Sequence, residues 1–232
     1  MNIKKHIPNL ITLLNLFSGC IALIYATEHN FEMAFFFVSL GIFLDFFDGF
    51  FARLFKVSSP LGLQLDSLAD MVTSGVVPGY VMFLLLKENT DAHFLPYLGF
   101  IITLGSCYRL ANFNIDVRQT DSFIGLPTPA NALFILSLPL VMQHTPSEAV
   151  YEFLNNQWVL LIISLFSAYI LNAEIPLFSL KIKEFNFKKN KLQIIFLSLS
   201  VLLLVFFQFL AIPLIILIYV LLSVVNNRFA AR

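Results

Sequence analysis

An all-α, polytopic membrane protein of about eight transmembrane helices is the fold class this sequence predicts, and three observations predict it. Apolar residues make up 59% of the 232 and charged residues only 12%, with a mean hydropathy of +0.85, a balance too apolar for a soluble core. Apolar runs of bilayer-spanning length recur from one end of the chain to the other. The cations fall almost entirely on one side of those runs. Residues 1–232 are expected to form one integral membrane domain, without internal repeats.

The runs lie at 8–27, 32–54, 61–86, 94–113, 126–142, 157–175, 192–208 and 210–226. The first carries polar Asn9, Thr12 and Asn15 and is followed by no clear small-residue cleavage site, so it is expected to stay as a helix rather than act as a cleaved signal. The second and third are separated by a short turn at Ser58, Ser59 and Pro60. The segment PSEAVYEFLNN at 146–156 reads as an extracytoplasmic loop or short interfacial helix, and the last two runs should be joined by a tight turn near Pro213. Lys4 and Lys5, Arg53 and Lys56, Arg109 and Arg118, the basic run at 181–191, and Arg228 and Arg232 all fall on one side, leaving Lys87 on the other. The positive-inside rule then puts both termini in the cytoplasm, in a multi-pass arrangement within the cytoplasmic (inner) membrane. The run at 181–191 reads as a topology determinant, with anionic headgroup recognition as its second reading. Cys20 and Cys107 read as apolar packing residues. The four histidines show no ligand partner at useful spacing, and the 27 phenylalanines read as lipid-facing and packing bulk.

Chemistry is concentrated in LDFFDGFFARLFKVSSPLGLQLDSLAD, which carries Asp45, Asp48, Asp66 and Asp70. A charge at mid-bilayer costs about 2.5 to 3.5 kcal/mol even on the lenient insertion scale, so four without compensation would cost on the order of 10 kcal/mol. At 100° per residue, Asp45, Asp48, Gly49 and Ala52 share one helical face, and Gly62, Asp66 and Asp70 share one face of the next helix. Two carboxylates from each helix can therefore converge. Such an all-oxygen cluster suits hard divalent ions, Mg²⁺ or Mn²⁺, and a pair of them would polarise a phosphoryl group. Gly49, Ala52 and Gly62 would let a bulky ligand approach the backbone, and Arg53 could meet a phosphate oxygen. Two other readings remain open on spacing alone: structural carboxylates paired with Arg53 or Lys56, and a cation or proton path in a transporter.

The stretch from Asp45 to Asp70 reads D-x2-D-G-x2-A-R-x8-G-x3-D-x3-D, and it resembles the signature of the CDP-alcohol phosphatidyltransferases at every fixed position. The resemblance implies that Asp45, Asp48, Asp66 and Asp70 bind two divalent ions and that Asp70 is also the catalytic base. The opening IPNLITLLNLFSG, with Asn9, Thr12 and Asn15 on one face, is similar to openings in the phosphatidylserine synthases of this family, which brings Thr12 and Asn15 to the nucleotide or metal site. Interhelical hydrogen bonding is their other reading. SCYRLANFNID and FIGLPTPANALF resemble further segments of those synthases, with Asn112 in place of the usual arginine and Asn131 in place of the usual alanine. The likeness covers roughly residues 6–140 and fades over the helices at 157–226.

From this resemblance, the expected activity is transfer of the phosphatidyl group from CDP-diacylglycerol to L-serine, releasing CMP. The donor would be held by Thr12, Asn15, Gly49, Ala52, Arg53, Gly62 and Ser67, and the acceptor by Arg109 and Asn112. Glycerol 3-phosphate, inositol phosphate or inositol are the alternative acceptors. Membrane lipids surround the protein, no nucleic-acid partner is expected, and a homodimer is expected because relatives are dimers.

Overall fold

The computed structural model describes residues 6–57, 59–116, 124–179 and 190–230. Expectations that fall on Lys4, Lys5, Ser58, Arg118, 181–189 and Arg232 lie outside these described residues. The helices are α1 (Ile7–Thr27), α2 (Phe31–Phe55), α3 (Pro60–Asp70), α4 (Val77–Glu88), α5 (Ile101–Phe113), α6 (Thr128–His144), α7 (Glu148–Leu154), α8 (Gln157–Asn172), α9 (Lys191–Phe207) and α10 (Ala211–Ala230). A π-helical turn, Met71–Val76, makes α3 and α4 continuous, and a 3₁₀ turn, Leu95–Phe100, leads into α5.

Helix therefore forms in each of the eight expected runs. Among the described residues, Ile7–Thr27, Phe31–Phe55, Pro60–Glu88 and Lys191–Arg228 are the stretches long and apolar enough to cross a bilayer by themselves, and α7 with α8 makes a fifth if that pair, bent by 65°, is one span. The last of these stretches doubles back. The rings of Phe196 and Tyr219 lie 5.5 Å apart, whereas 23 residues of straight helix would separate them by about 35 Å. The reversal sits at Gln208, whose φ of 47° ends α9, rather than near Pro213. That proline falls in the first turn of α10, where its missing N–H has no helical partner to lose.

The break between α2 and α3 follows from local chemistry. Lys56 adopts the left-handed conformation that terminates α2. Ser59 then caps α3, its hydroxyl accepting from the Gly62 N–H at 3.0 Å, and Pro60 occupies the first helical turn. The two aspartate-bearing helices thus meet at a tight corner.

Small residues set the close contact of α1 with α2: Ala22, Ala26 and Ala34 are fully buried, as fits packing without a hydrophobic drive in lipid. The apolar core centres on α4, α6 and α8, with Met82, Leu85, Leu86, Ile135, Leu136, Leu140 and Leu160 excluded from solvent. Outward faces of α2 and α9 present Phe36, Phe43, Phe46, Val205 and Phe206, matching the expected lipid-facing bulk. Cys20 and Cys107 are free thiols on exposed surface, not the deep packing residues expected; each faces outward from its helix, a direction that spacing alone does not resolve where both faces are apolar.

One end of the bundle is tied by two histidine–carboxylate contacts, His29 to Glu88 at 2.8 Å and His144 to Glu32 at 2.7 Å. These are partners the sequence pattern did not reveal, because they join residues far apart in the chain. The aspartates occupy the other end. The start of α1 lies there too, since Pro8 and Asn9 line a cavity with Asp48. So does the end of α10, where the Asn227 amide donates to the Pro176 carbonyl and Pro176 bridges Ile124, just before α6.

Candidate metal and nucleotide site

α2 and α3 converge on a carboxylate cluster. Asp45, Asp48 and Asp66 each place one carboxylate oxygen within 4.8 Å of the other two. Asp70, one turn beyond Asp66, lines the same cavity, and Asp48 and Asp70 are both buried, at 7% and 8% exposure.

α1 supplies the hydrogen bonds that orient the two buried carboxylates. Thr12 Oγ1 lies 2.5 Å from Asp48 Oδ2 and 3.0 Å from the Pro8 carbonyl. A hydroxyl has one proton, and the short charge-assisted contact to the carboxylate is the stronger claim on it. Asn15 Nδ2 donates to Asp70 Oδ1 at 3.2 Å, and Asn15 Oδ1 accepts from Thr73 Oγ1 at 2.8 Å. The polar face seen in the first helix therefore points at the aspartates, with Thr12 on one and Asn15 on another.

Two cavities meet at the cluster. The larger, about 410 Å³, has the four aspartates, Ser67 and Arg109 on its polar side and Phe46, Phe113, Pro127 and Pro129 on its apolar side. The smaller, about 210 Å³, is lined by Asn9, Thr12, Ala52, Ser59 and Gly62. Asp48, Gly49, Arg53 and Asp66 line both. At Gly49 a β-carbon would sit 3.3 Å from Arg53 Nη1, so glycine leaves the guanidinium room to fold back along its own helix. At Gly62 a β-carbon would meet Asn9 Oδ1 and Ser59 Oγ, each at 3.3 Å. Gly62 thus allows α1 to approach the start of α3 and also lines the smaller cavity.

The donor set fits a hard divalent cation. All candidate ligands are carboxylate oxygens, and at metal–oxygen distances of about 2.1 Å, trans ligands lie about 4.2 Å apart. Oxygens within 4.8 Å of one another need little movement to reach that spacing.

The expected acceptor residues separate. Arg109 is 95% excluded from solvent, lines the larger cavity and stacks over the Phe113 ring with 5.3 Å to the centroid. Asn112 lines neither cavity; its carbonyl accepts from the N–H groups of Ile115 and Asp116 at the fraying end of α5. The neighbouring Asn114 instead reaches inward, its amide donating to Ser67 Oγ at 2.8 Å. Five residues given no site role from the sequence also belong to the site's surroundings: Asn9, Ser59, Thr73, Asn114 and Thr128. Asn9 carries a signal, since it precedes Thr12 by three residues on one helical face. Thr73 carries none, because the π turn that follows Asp70 changes the residue spacing on that face.

The family model for CDP-alcohol phosphatidyltransferase matches residues 5–170, a span that includes every aspartate of the cluster and both cavities' lining. Among curated proteins, the chain is 33% identical over 201 residues to the CDP-diacylglycerol–serine O-phosphatidyltransferase of Helicobacter pylori (strain ATCC 700392 / 26695), covering 83% of this chain and 80% of that one. It is 36% identical over 138 residues to the protein of the same description from Bacillus subtilis (strain 168), covering 58% and 75%. With that of Saccharomyces cerevisiae (strain ATCC 204508 / S288c) it is 36% identical over 149 residues, covering 57% and 53%. The four aspartates, their orienting partners on α1 and the extent of the match place this chain in one group: it belongs to the CDP-alcohol phosphatidyltransferase family.

Proposed function

We propose that this protein transfers the phosphatidyl group of CDP-diacylglycerol to the hydroxyl of L-serine and releases CMP. The observation that carries the reading is the carboxylate cluster between two cavities, a larger one beside Arg109 and a smaller one lined by Gly62 and Ala52, in a chain related to several serine O-phosphatidyltransferases. Asp45, Asp48, Asp66 and Asp70 would hold two divalent cations, Mg²⁺ or Mn²⁺, whose chemistry is to neutralise the diphosphate and the charge developing on CMP.

The protein's own groups do the rest. Thr12 and Asn15 fix Asp48 and Asp70, and Gly49, Ala52 and Gly62 leave backbone surface free for the cytidine diphosphate, with Arg53 and Ser67 at its phosphates. The serine hydroxyl oxygen attacks the phosphatidyl phosphorus as its proton passes to Asp70. A new phosphorus–oxygen bond forms, the bond to the CMP phosphate oxygen breaks, and CMP leaves with that electron pair. Arg109 binds the serine carboxylate through its planar fork. Exposed Phe46 and half-exposed Phe113 flank the larger cavity and give the acyl chains an apolar exit toward lipid.

The bias of Lys and Arg to one side supports, by the positive-inside rule, a site and both termini facing the cytoplasm from the inner membrane, with serine and CMP exchanging there. The chain acts as one catalytic domain over 1–232 and pairs as a homodimer. Purified protein in detergent, given CDP-diacylglycerol, Mn²⁺ and each candidate acceptor in turn, should release CMP and form phosphatidylserine with serine. CMP release with glycerol 3-phosphate, inositol phosphate or inositol in preference to serine would reassign the acceptor, and ion flux without nucleotide turnover would overturn the enzyme reading.

A further inference from the structure

We infer that Thr73 is a positioning residue for Asp70, acting through Asn15. Thr73 is fully buried behind the site, in the π turn that continues the helix beyond Asp70. Its hydroxyl lies 2.8 Å from Asn15 Oδ1 and 3.2 Å from the Asn15 carbonyl, and the Asn15 amide lies 3.2 Å from Asp70 Oδ1.

The order of donors in this chain is forced. A carboxylate accepts, so Asn15 must turn its NH₂ to Asp70 and its carbonyl oxygen away. That oxygen then needs a donor, and Thr73 provides it. The carboxylate excludes the rotated amide, and the Thr73 hydroxyl, by giving its proton to the amide oxygen, stabilises the orientation that remains. Asn15 and Thr73 are both wholly excluded from solvent, so water cannot substitute for either contact.

Two glycines far away in sequence make the arrangement sterically feasible. At Gly19 a β-carbon would stand 2.6 Å from Thr73 Oγ1 and 3.1 Å from Thr73 backbone atoms. At Gly41 it would stand 2.7 Å from both Asn15 Oδ1 and Thr73 Cγ2. Side-chain-free surface on α1 and α2 thus brackets the pair. The π turn contributes the third condition, because it carries Thr73 to a position from which it reaches α1 while Asp70 faces the cavity.

The inference rests on the proposed role of Asp70 as ligand and base. It predicts that Thr73→Val, in purified full-length protein in detergent, lowers kcat about tenfold, the low end of the range for losing a direct partner of a metal ligand, because Thr73 acts one hydrogen bond further out. The KM for CDP-diacylglycerol should stay within about threefold, because Thr73 touches no part of the donor pocket, and Mn²⁺ binding to substrate-free protein, followed by electron paramagnetic resonance, should weaken about tenfold. Thr73→Ser should restore most of the lost kcat. In the Asn15→Ala background, Thr73→Val should cost less than about twofold more, because residues acting in one chain are not additive.

Wild-type kcat in Thr73→Val, equal damage in the serine variant, or full additivity with Asn15→Ala would each overturn the inference. Should Thr73→Val fail to fold, Gly41→Ala carries the test, since its methyl presses on both members of the pair; an unchanged kcat there overturns the inference equally. Near-wild-type turnover in Asp70→Asn would instead refute the role of Asp70 itself. A wild-type protein that ignores serine would refute only the acceptor, leaving the Mn²⁺ affinities to decide the role of Thr73.

Discussion

Asp48→Asn should make the metal-free protein more stable and the enzyme nearly inert. Three carboxylate oxygens lie within 4.8 Å of one another at Asp45, Asp48 and Asp66, and at an effective dielectric of about 20 each such pair repels by about 3.5 kcal/mol. Removing one charge relieves at most two pairs, about 7 kcal/mol with every carboxylate ionised, which counter-ions and protons shared within the cluster reduce. If even about 1 kcal/mol of that survives, the thermal midpoint of the substrate- and metal-free protein rises by about 2–4 °C for a chain of this size. The amide keeps the volume and can still accept from Thr12, so insertion and folding should be unharmed. Turnover should nevertheless fall at least about 10²- to 10³-fold, the scale for losing one group that stabilises developing charge. Wild-type protein at an Mn²⁺ concentration of about 100 times its dissociation constant gains about 2.7 kcal/mol; the variant should gain far less. Scanning calorimetry or intrinsic fluorescence with chelator and then with Mn²⁺ gives the two midpoints, and CMP release gives the rate. A midpoint that falls in chelator, or turnover near wild type with Mn²⁺ present, would refute the reasoning.

Thr12→Val removes the 2.5 Å contact to Asp48 and should reduce Mn²⁺ affinity about 10- to 100-fold, read by titrating metal in the turnover assay and by direct Mn²⁺ binding. Gly62→Leu projects a side chain into the smaller cavity and should raise the KM for CDP-diacylglycerol strongly. Gly62→Ala, which asks Asn9 and Ser59 to give by only a few tenths of an ångström, should be mild, and equal unfolding in both variants would show that the glycine serves helix packing alone. Arg109→Lys keeps a charge but loses the fork over Phe113, so the KM for serine should rise about tenfold while that for the lipid donor hardly changes. A defect confined to the donor would move Arg109 to the phosphate site.

Much of this was legible in the sequence because two periodicities coincide. Apolar runs of spanning length mark the helices, and i, i+3 and i, i+4 spacing marks the faces of α2 and α3 on which the aspartates lie. Asn9, Thr12 and Asn15 were legible for the same reason. What spacing could not supply was anything depending on a break in helical geometry or on contacts between distant segments. The reversal at Gln208 requires a left-handed residue that no glycine announces. Asn114, rather than Asn112, reaches Ser67 because α5 is already ending there and one turn of regular helix no longer predicts direction. His29 and His144 find glutamates 59 and 112 residues away, beyond the reach of any local pattern.

The glycines show why function and packing are hard to separate in such a chain. In lipid, helices approach closely because small residues remove steric obstruction, and a stripe of Gly and Ala is read first as packing. Here Gly41 lets α2 approach α1 and Gly19 lets α1 approach the π turn, yet the atoms a β-carbon would strike are those of Asn15 and Thr73, the residues standing behind Asp70. Gly62 likewise meets Asn9 and Ser59 while opening onto the smaller cavity. Close packing is therefore the means by which polar groups of α1, backed by Thr73 of the π turn, reach two buried carboxylates directly. A larger side chain at either place would space the helices apart and leave those carboxylates in lipid-like surroundings with fewer partners, the condition that costs the most inside a membrane. The demands of a tight helix interface and of well-held carboxylates fall on the same residues, so replacing these glycines should damage catalysis before it damages insertion.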